Sequence, residues 1–282
     1  MNSFERFVEL LSIEMPDVQA PYGLFHIIML ALTVAATALL CIKQYNCSDM
    51  RFRKILLILW ITLLLFEGYK QLVSPFSSID GRAVWEYDLN DIPYQFCSSI
   101  LFCLPPIIFL KDGRVRNAFM SFSVAFIFLA GLMVMIYPDQ LKDDRAIGIC
   151  VQTMVHHGAQ VLAGAFIAVR QRARLGKRFF VSGLAVFGGF ILVALVLNAS
   201  LSPAVIGGRT INFFYISPYH NCPLPILSEI RKALPWAVFL IIYIVGFVLL
   251  AALISFVFYL VTKSIKNDKS CAPDIEKELL NV

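Results

Sequence analysis

Apolar stretches at 22–43, 55–73, 92–110, 118–137, 147–169, 179–199 and 235–262 divide the chain, with polar segments between them. A helix needs about 20 apolar residues to cross the hydrocarbon core of a bilayer, at a rise of about 1.5 Å per residue. Lipid offers the backbone no hydrogen-bond partner, so stretches of this length predict helices rather than open sheet. The pattern therefore predicts an all-α polytopic membrane protein, a seven-transmembrane-helix bundle over residues 21–263. Alternating barrel-type segments, internal repeats and low-complexity tracts are absent from the sequence. Ahead of the bundle, Phe4, Phe7, Val8, Leu11 and Ile13 fit one face of a short amphipathic helix on the outer surface, within an extracellular segment 1–20. The acids Glu5, Glu9, Glu14 and Asp17 in that segment argue against a cleavable signal peptide. The polar tail 264–282 is expected to be cytoplasmic and disordered.

Charge gives the pattern a direction. Lys43, Arg51, Arg53 and Lys54 follow the first stretch, Lys111, Arg114 and Arg116 the third, and Arg170, Arg172, Arg174, Lys177 and Arg178 the fifth. Lys263, Lys266, Lys269 and Lys277 follow the last. The alternate loops are acidic instead, with Asp80, Glu86, Asp88, Asp91, Asp139, Asp143 and Asp144. Basic loops stay on the cytoplasmic side, so the N-terminus is expected outside and the C-terminus in the cytoplasm. A composition of 59% hydrophobic and only 15% charged residues exceeds what one soluble core could hide. It predicts an integral, multi-pass protein of the plasma or cytoplasmic membrane. The net charge of +5 is accounted for by the basic inner loops and asks for no nucleic-acid partner.

Ionisable and polar side chains at membrane depth are costly and suggest a site. Glu67, Lys70 and Gln71 share one helical face near the outer end of the second stretch. They read either as a self-neutralising Glu67–Lys70 pair or as the lining of a substrate site. Cys97 lies about five residues into the third stretch, and His156 and His157 about ten into the fifth, all counted from outside; at about 1.5 Å per residue a helix tilt absorbs the difference. A thiol and an imidazole at similar depth could form a nucleophile–base pair, although a free Cys is also a common core residue. Adjacent helical residues point about 100° apart, so the two histidines are not expected to serve one site. His157 shares its face with Thr153, Gln160 and Gly164 and is the favoured partner. Asn198, and Asn212 in the long connection 200–234, are further candidates for lining the site, and that connection is expected to cap the outer face. The cysteines form no C-x-x-C pair and show no disulfide framework, which leaves open a lone bridge from Cys222 to Cys97 or Cys150. There is no Gly-rich phosphate loop and no His/carboxylate ligand set, so no cofactor and no metal is expected.

Several local motifs occur in a recognisable order. Pro21-Tyr22-Gly23-Leu24-Phe25-His26 opens the first stretch and Glu67-Gly68-Tyr69-Lys70-Gln71 closes the second. Leu89-Asn90-Asp91-Ile92-Pro93-Tyr94-Gln95-Phe96-Cys97 leads into the third, and His157-Gly158 lies in the fifth. Asn212-Phe213-Phe214-Tyr215, Cys222-Pro223-Leu224-Pro225 and Pro235-Trp236 precede or open the last. Taken together the chain resembles the YwaF-like integral membrane proteins, relatives of transmembrane protein 164. That resemblance implies a phospholipid acyltransferase working through a cysteine thioester assisted by a histidine, roles that fall here on Cys97 and His157. The implied partners are a membrane phospholipid or lysophospholipid in the lipid bilayer, with transfer or hydrolysis set by whether a lysolipid or water accepts the acyl group. Glu67, Lys70, Gln71, Asn198 and Asn212 would line or orient the substrate. A non-enzymatic lipid-binding or small-solute transport protein would use the same outer polar cavity with Cys97 inert.

Overall fold

A computed structural model describes residues 1–14, 22–138, 146–202, 205–208 and 211–266, with side chains to residue 263. Ten α-helices dominate these residues: α1 (Ser3–Leu11), α2 (Leu24–Gln44), α3 (Asp49–Val73), α4 (Ser99–Phe109), α5 (Arg114–Phe122), α6 (Phe128–Ile136), α7 (Ile147–Arg170), α8 (Lys177–Ser200), α9 (Pro225–Ala233) and α10 (Trp236–Lys266). A π-turn at Ser123–Ile127 joins α5 to α6 in one rod. Residues 267–282 of the expected tail lie outside the described residues.

Among the described residues, five helices are long and apolar enough to cross a membrane: α2, α3, the α5–α6 rod, α8 and α10. The protein is therefore an integral, multi-pass, predominantly helical membrane protein. The two other predicted stretches depart from that description in opposite ways. Helix α7 has 24 residues but carries Gln152, Thr153, His156, His157 and Gln160 on a buried surface. Helix α4 is apolar but has only 11 residues. The sequence expectation ran from residue 92, yet Pro93 holds Ile92 extended at ψ 129°, as a proline does to its predecessor. Residues 92–98 consequently enter as irregular backbone, and Cys97 precedes α4 instead of lying within a helix.

The all-α expectation misses a hairpin. β1 (Phe76–Ile79) pairs antiparallel with β2 (Arg82–Trp85), Phe76 opposite Trp85 and Ile79 opposite Arg82. Asp80 and Gly81 form the turn with φ of 51° and 73°, the left-handed pair that a two-residue hairpin requires. Helix α1, opened by an Asn2–Glu5 capping box, packs on this hairpin. Its Val8 is fully buried in a cluster with Val73, Phe76 and Ile149.

Helix α7 packs against α2, α3 and α6. Small residues set these approaches. A Cβ on Gly131 would lie 2.6 Å from the His157 carbonyl oxygen and 2.7 Å from Gln160 Cβ, so only glycine lets α6 reach α7 there. Gly158 plays the same part toward Thr33 of α2.

The freed backbone groups of α4 find partners on neighbouring elements. Pro105 cannot donate to the Leu101 carbonyl, and Trp60 Nε1 donates to it at 2.9 Å instead. At the other end of α4, Arg116 Nε donates to the Ile107 carbonyl at 2.9 Å and Arg53 Nη1 to that of Ile108. Asp49 links the two guanidiniums, at 2.7 Å from Arg116 and 2.6 Å from Arg53. This end is an ionic clamp. None of the six described cysteines is in a disulfide, so the Cys222 bridge is not formed.

Candidate functional site

A cavity of about 310 Å³ opens at the end of the bundle away from the Asp49 clamp. Its walls come from four places: Glu67, Lys70 and Ser74 at the end of α3, the segment from Asn90 to Ser98, the buried polar face of α7, and Tyr215. Cys97, His156 and His157 all line it.

The irregular backbone before α4 organises the centre. The Leu101 amide donates to the Ser98 carbonyl at 3.0 Å, leaving the Cys97 carbonyl outside the helical ladder. Helix α7 supplies the donors, with His156 Nε2 at 3.2 Å and Gln160 Nε2 also bonded to it. A carbonyl only accepts, so His156 carries its proton on Nε2. The same logic fixes His157, whose Nδ1 donates to the Thr153 carbonyl at 2.7 Å. Each neutral imidazole is left with one lone pair. His156 Nδ1, His157 Nε2 and Gln160 Oε1 are buried and have no hydrogen-bond partner among the described residues.

His26 provides a control. It is equally buried, yet Nε2 donates to the Met135 carbonyl at 2.9 Å and Nδ1 accepts from the Tyr22 amide at 3.2 Å. Both nitrogens are used, and the ring staples α2 to the end of α6. Buried polar groups are normally satisfied in this way, which sets the two cavity histidines apart from His26.

Both histidines face the cavity, with ring centroids 5.6 Å apart. The expectation that only one could do so fails for a simple reason. Directions 100° apart exclude a shared site only if the site lies along one of them, and this cavity lies between.

Glu67 and Lys70 form the expected pair, Nζ to Oε1 at 3.1 Å, and both also line the cavity. Lys70 Nζ reaches the Asp91 carbonyl at 3.2 Å, and Gln71 Nε2 reaches the same oxygen at 2.6 Å. Gln71 is a bracket behind the wall, since it also bonds Glu67 at 2.7 Å and accepts from Tyr87 at 2.6 Å. Asn198 and Asn212 likewise sit behind the lining. Asn198 exchanges two hydrogen bonds with the Phe213 backbone, at 2.9 and 3.0 Å. Asn212 Oδ1 accepts from the Ser217 amide at 3.0 Å, and its own amide donates to Asn90 at 2.9 Å. They hold the long connection across this end of the bundle.

Sequence reasoning passed over Gln95 and Tyr215 as individual lining residues. Gln95 accepts from the Phe214 amide at 2.9 Å and donates to the Asn212 carbonyl at 3.1 Å, tying the segment before Cys97 to the capping connection. Phe214 and Tyr215 both take positive φ, 57° and 58°, a costly pair for bulky residues. A signal for Gln95 is its amide set inside the apolar stretch just after Pro93; Tyr215 carries no comparable mark.

No curated protein and no solved structure gives a significant match. The family model described as the TMEM164 family matches residues 21–264, which is the bundle together with its capping connection, and the chain belongs to the TMEM164 family.

Proposed function

We propose that this protein is a membrane-embedded lipid acyltransferase or lipid-ester hydrolase, with Cys97 as nucleophile and His157 as base. The observation that carries the reading is the pair of neutral, buried imidazoles whose free lone pairs have no partner among the described residues, on a cavity that Cys97 also lines. His157 Nε2 takes the thiol proton while Sγ attacks the ester carbonyl of a phospholipid. The S–C bond forms, the C–O bond breaks, and the imidazolium returns the proton to the departing alkoxide. A lysophospholipid hydroxyl then attacks the thioester to give a new ester and the free thiol; water in its place gives the fatty acid. His156 and Gln160 act as positioning residues, since they hold the Cys97 backbone through its carbonyl. The first turn of α4 follows directly, an end of a helix that favours negative charge. Lys70 and Glu67 line the polar mouth.

The bundle in this reading crosses the membrane seven times, with α4 and α7 as spans sheltered by their neighbours. The N-terminus and the cavity face outward, and the basic clamp faces the cytoplasm of a plasma or cytoplasmic membrane. The alternation of basic and acidic loops supports that orientation.

Intact mass of the purified protein after incubation with mixed phospholipids tests the chemistry. A hydroxylamine-labile acyl adduct is expected on the wild type, absent from Cys97→Ser and slower to form in His157→Ala. Folded wild-type protein that forms no adduct and leaves the lipids unchanged would sink the reading in favour of non-covalent lipid binding or solute transport.

A further inference from the structure

Cys97 borders a second space. An apolar slot of about 60 Å³ runs from it between α6 and α10, walled by Ala130, Met133 and Val134 on one side and Tyr243 and Phe247 on the other. The α6 residues follow the i, i+3, i+4 spacing and the α10 residues i, i+4, so each helix presents a single face. Gln95, Cys97 and Tyr215 line both spaces and form the partition between them. Phe247 packs edge-on against Phe96, beside the thiol residue, at 5.0 Å. Met133 is exposed at the outer edge of the slot, where α6 would meet lipid.

We infer that the slot receives the acyl chain, and that Ala130, Met133 and Phe247 determine which chains are accepted, an inference that rests on the acyl-thioester reading of Cys97. The two spaces differ in the chemistry they can hold. The polar cavity offers unpaired acceptors and the Glu67–Lys70 pair, which suit a headgroup or an attacking hydroxyl. The slot is apolar apart from the partition residues and the Tyr243 hydroxyl, which suits methylenes. An ester carbonyl at the partition would send its chain one way and its oxygen-bearing part the other. At about 60 Å³ the slot holds only the first few carbons, so the remainder must leave between α6 and α10 into the bilayer. Selection then acts close to the carbonyl: branching or unsaturation within those first carbons is rejected, and the length of the far end matters little. Three side chains pin the backbone on either side of the strained Tyr215: Gln95 bonds the Phe214 amide, Asn198 that of Phe213 and Asn212 that of Ser217.

Two measurements test the slot separately from the chemistry. The first uses a phospholipid with a photoreactive diazirine within the first carbons of its acyl chain, bound to folded wild type and to Cys97→Ser. Label is expected on α6 and α10 peptides in both proteins. The second compares acylation by a palmitoyl phospholipid and by p-nitrophenyl acetate in Ala130→Phe. Filling the slot is expected to slow palmitoyl transfer by about tenfold or more relative to acetyl, the scale at which one misfitted group is discriminated in an apolar pocket. Label confined to other helices, or an Ala130→Phe protein that slows both donors equally, overturns the slot while leaving Cys97 chemistry intact. Label on α6 and α10 with no adduct from any donor keeps the slot as a chain-binding site and overturns the thioester.

Discussion

At the end of the bundle where α4 finishes, Arg53 and Arg116 donate to its last carbonyls and share Asp49, and Arg174 forks onto Asp112. At the end where α4 begins, His156, His157 and Gln160 also serve a backbone carbonyl, but each leaves a buried lone pair unmatched. Both ends face the same physical problem, irregular backbone and polar side chains beside lipid. At the clamp the last carbonyls of α4 are matched by guanidinium donors, whereas around Cys97 three acceptor atoms of α7 stay unmatched. Unsatisfied buried groups cost free energy, and their concentration around one cysteine is what separates a site from a structural junction. His26, with both ring nitrogens bonded, belongs with the clamp in kind.

The comparison breaks most visibly through stability. Arg116→Leu strips the Ile107 carbonyl and one side of Asp49 of their donor, and it should cost about 3 kcal/mol, the scale of breaking a buried pair. His157→Leu removes a nitrogen that has no partner along with one hydrogen bond, and it should stay within about 1 kcal/mol of wild type. Reversible unfolding in mixed micelles reads both. The acylation assay should read them the other way round, with His157→Leu strongly impaired and Arg116→Leu active wherever it remains folded. Equal stability losses for the two variants would mean that the cavity histidines are structural.

Gly131→Val joins the two properties in one position. The added Cβ meets the His157 carbonyl and Gln160 Cβ, backbone and near-backbone atoms that cannot swing aside. Overpacking of this kind should cost about 1–3 kcal/mol. It should also slow acylation beyond what the stability loss explains, because the displaced atoms belong to the residues around Cys97. Gly188→Val is a control, as nothing lies within 4 Å of a Cβ built there. Slowing in both variants would point to general loosening of the bundle.

Hydropathy carried the helices, because lipid leaves the backbone few choices and long apolar runs admit only one. It misplaced the start of α4 for the same reason: Ile92, Tyr94 and Phe96 are apolar, but Pro93 decides the backbone and hydropathy does not see it. It placed α7 at 147–169, close to the observed Ile147–Arg170, but could not show that its polar face is sheltered by α2, α3 and α6. The Asp80-Gly81 hairpin was legible from its turn residues and was lost in the search for spans. For the site, residue type and depth brought Cys97 and the two histidines into consideration, and one-dimensional reasoning could go no further. Which ring nitrogen is spoken for depends on carbonyls of Cys97 and Thr153, and backbone carbonyls leave no mark in a sequence. Asn198 and Asn212 illustrate the reverse error. Polar residues near the site looked like lining, but Asn198 is spent on the Phe213 backbone and Asn212 on the Ser217 amide and the Asn221 carbonyl.

The smallest expected effect tests whether the clamp end is held by charge. Asp112 lies in the turn between α4 and α5, where Arg174 reaches its two oxygens at 3.2 and 2.8 Å. Those hydrogen bonds hold its carboxyl below the ordinary aspartate range, against a partial burial that pulls the other way, and the Arg174 and Arg116 charges add to the lowering. A carboxylate with a depressed folded pKa stabilises the protein above its unfolded value, about 3.9. That stabilisation is lost as pH falls through the folded value. Because Asp112 is 49% exposed, solvent screens the pair and the contribution should not exceed about 1 kcal/mol. Wild type should therefore melt slightly above Asp112→Asn at pH 7, and the gap should close as pH falls below about 4. Salt at pH 7 should narrow the same gap, as it does for partly exposed charges. A gap that persists unchanged at pH 3 would assign the effect to side-chain shape, and the ionic account of this end would then rest on Asp49 alone.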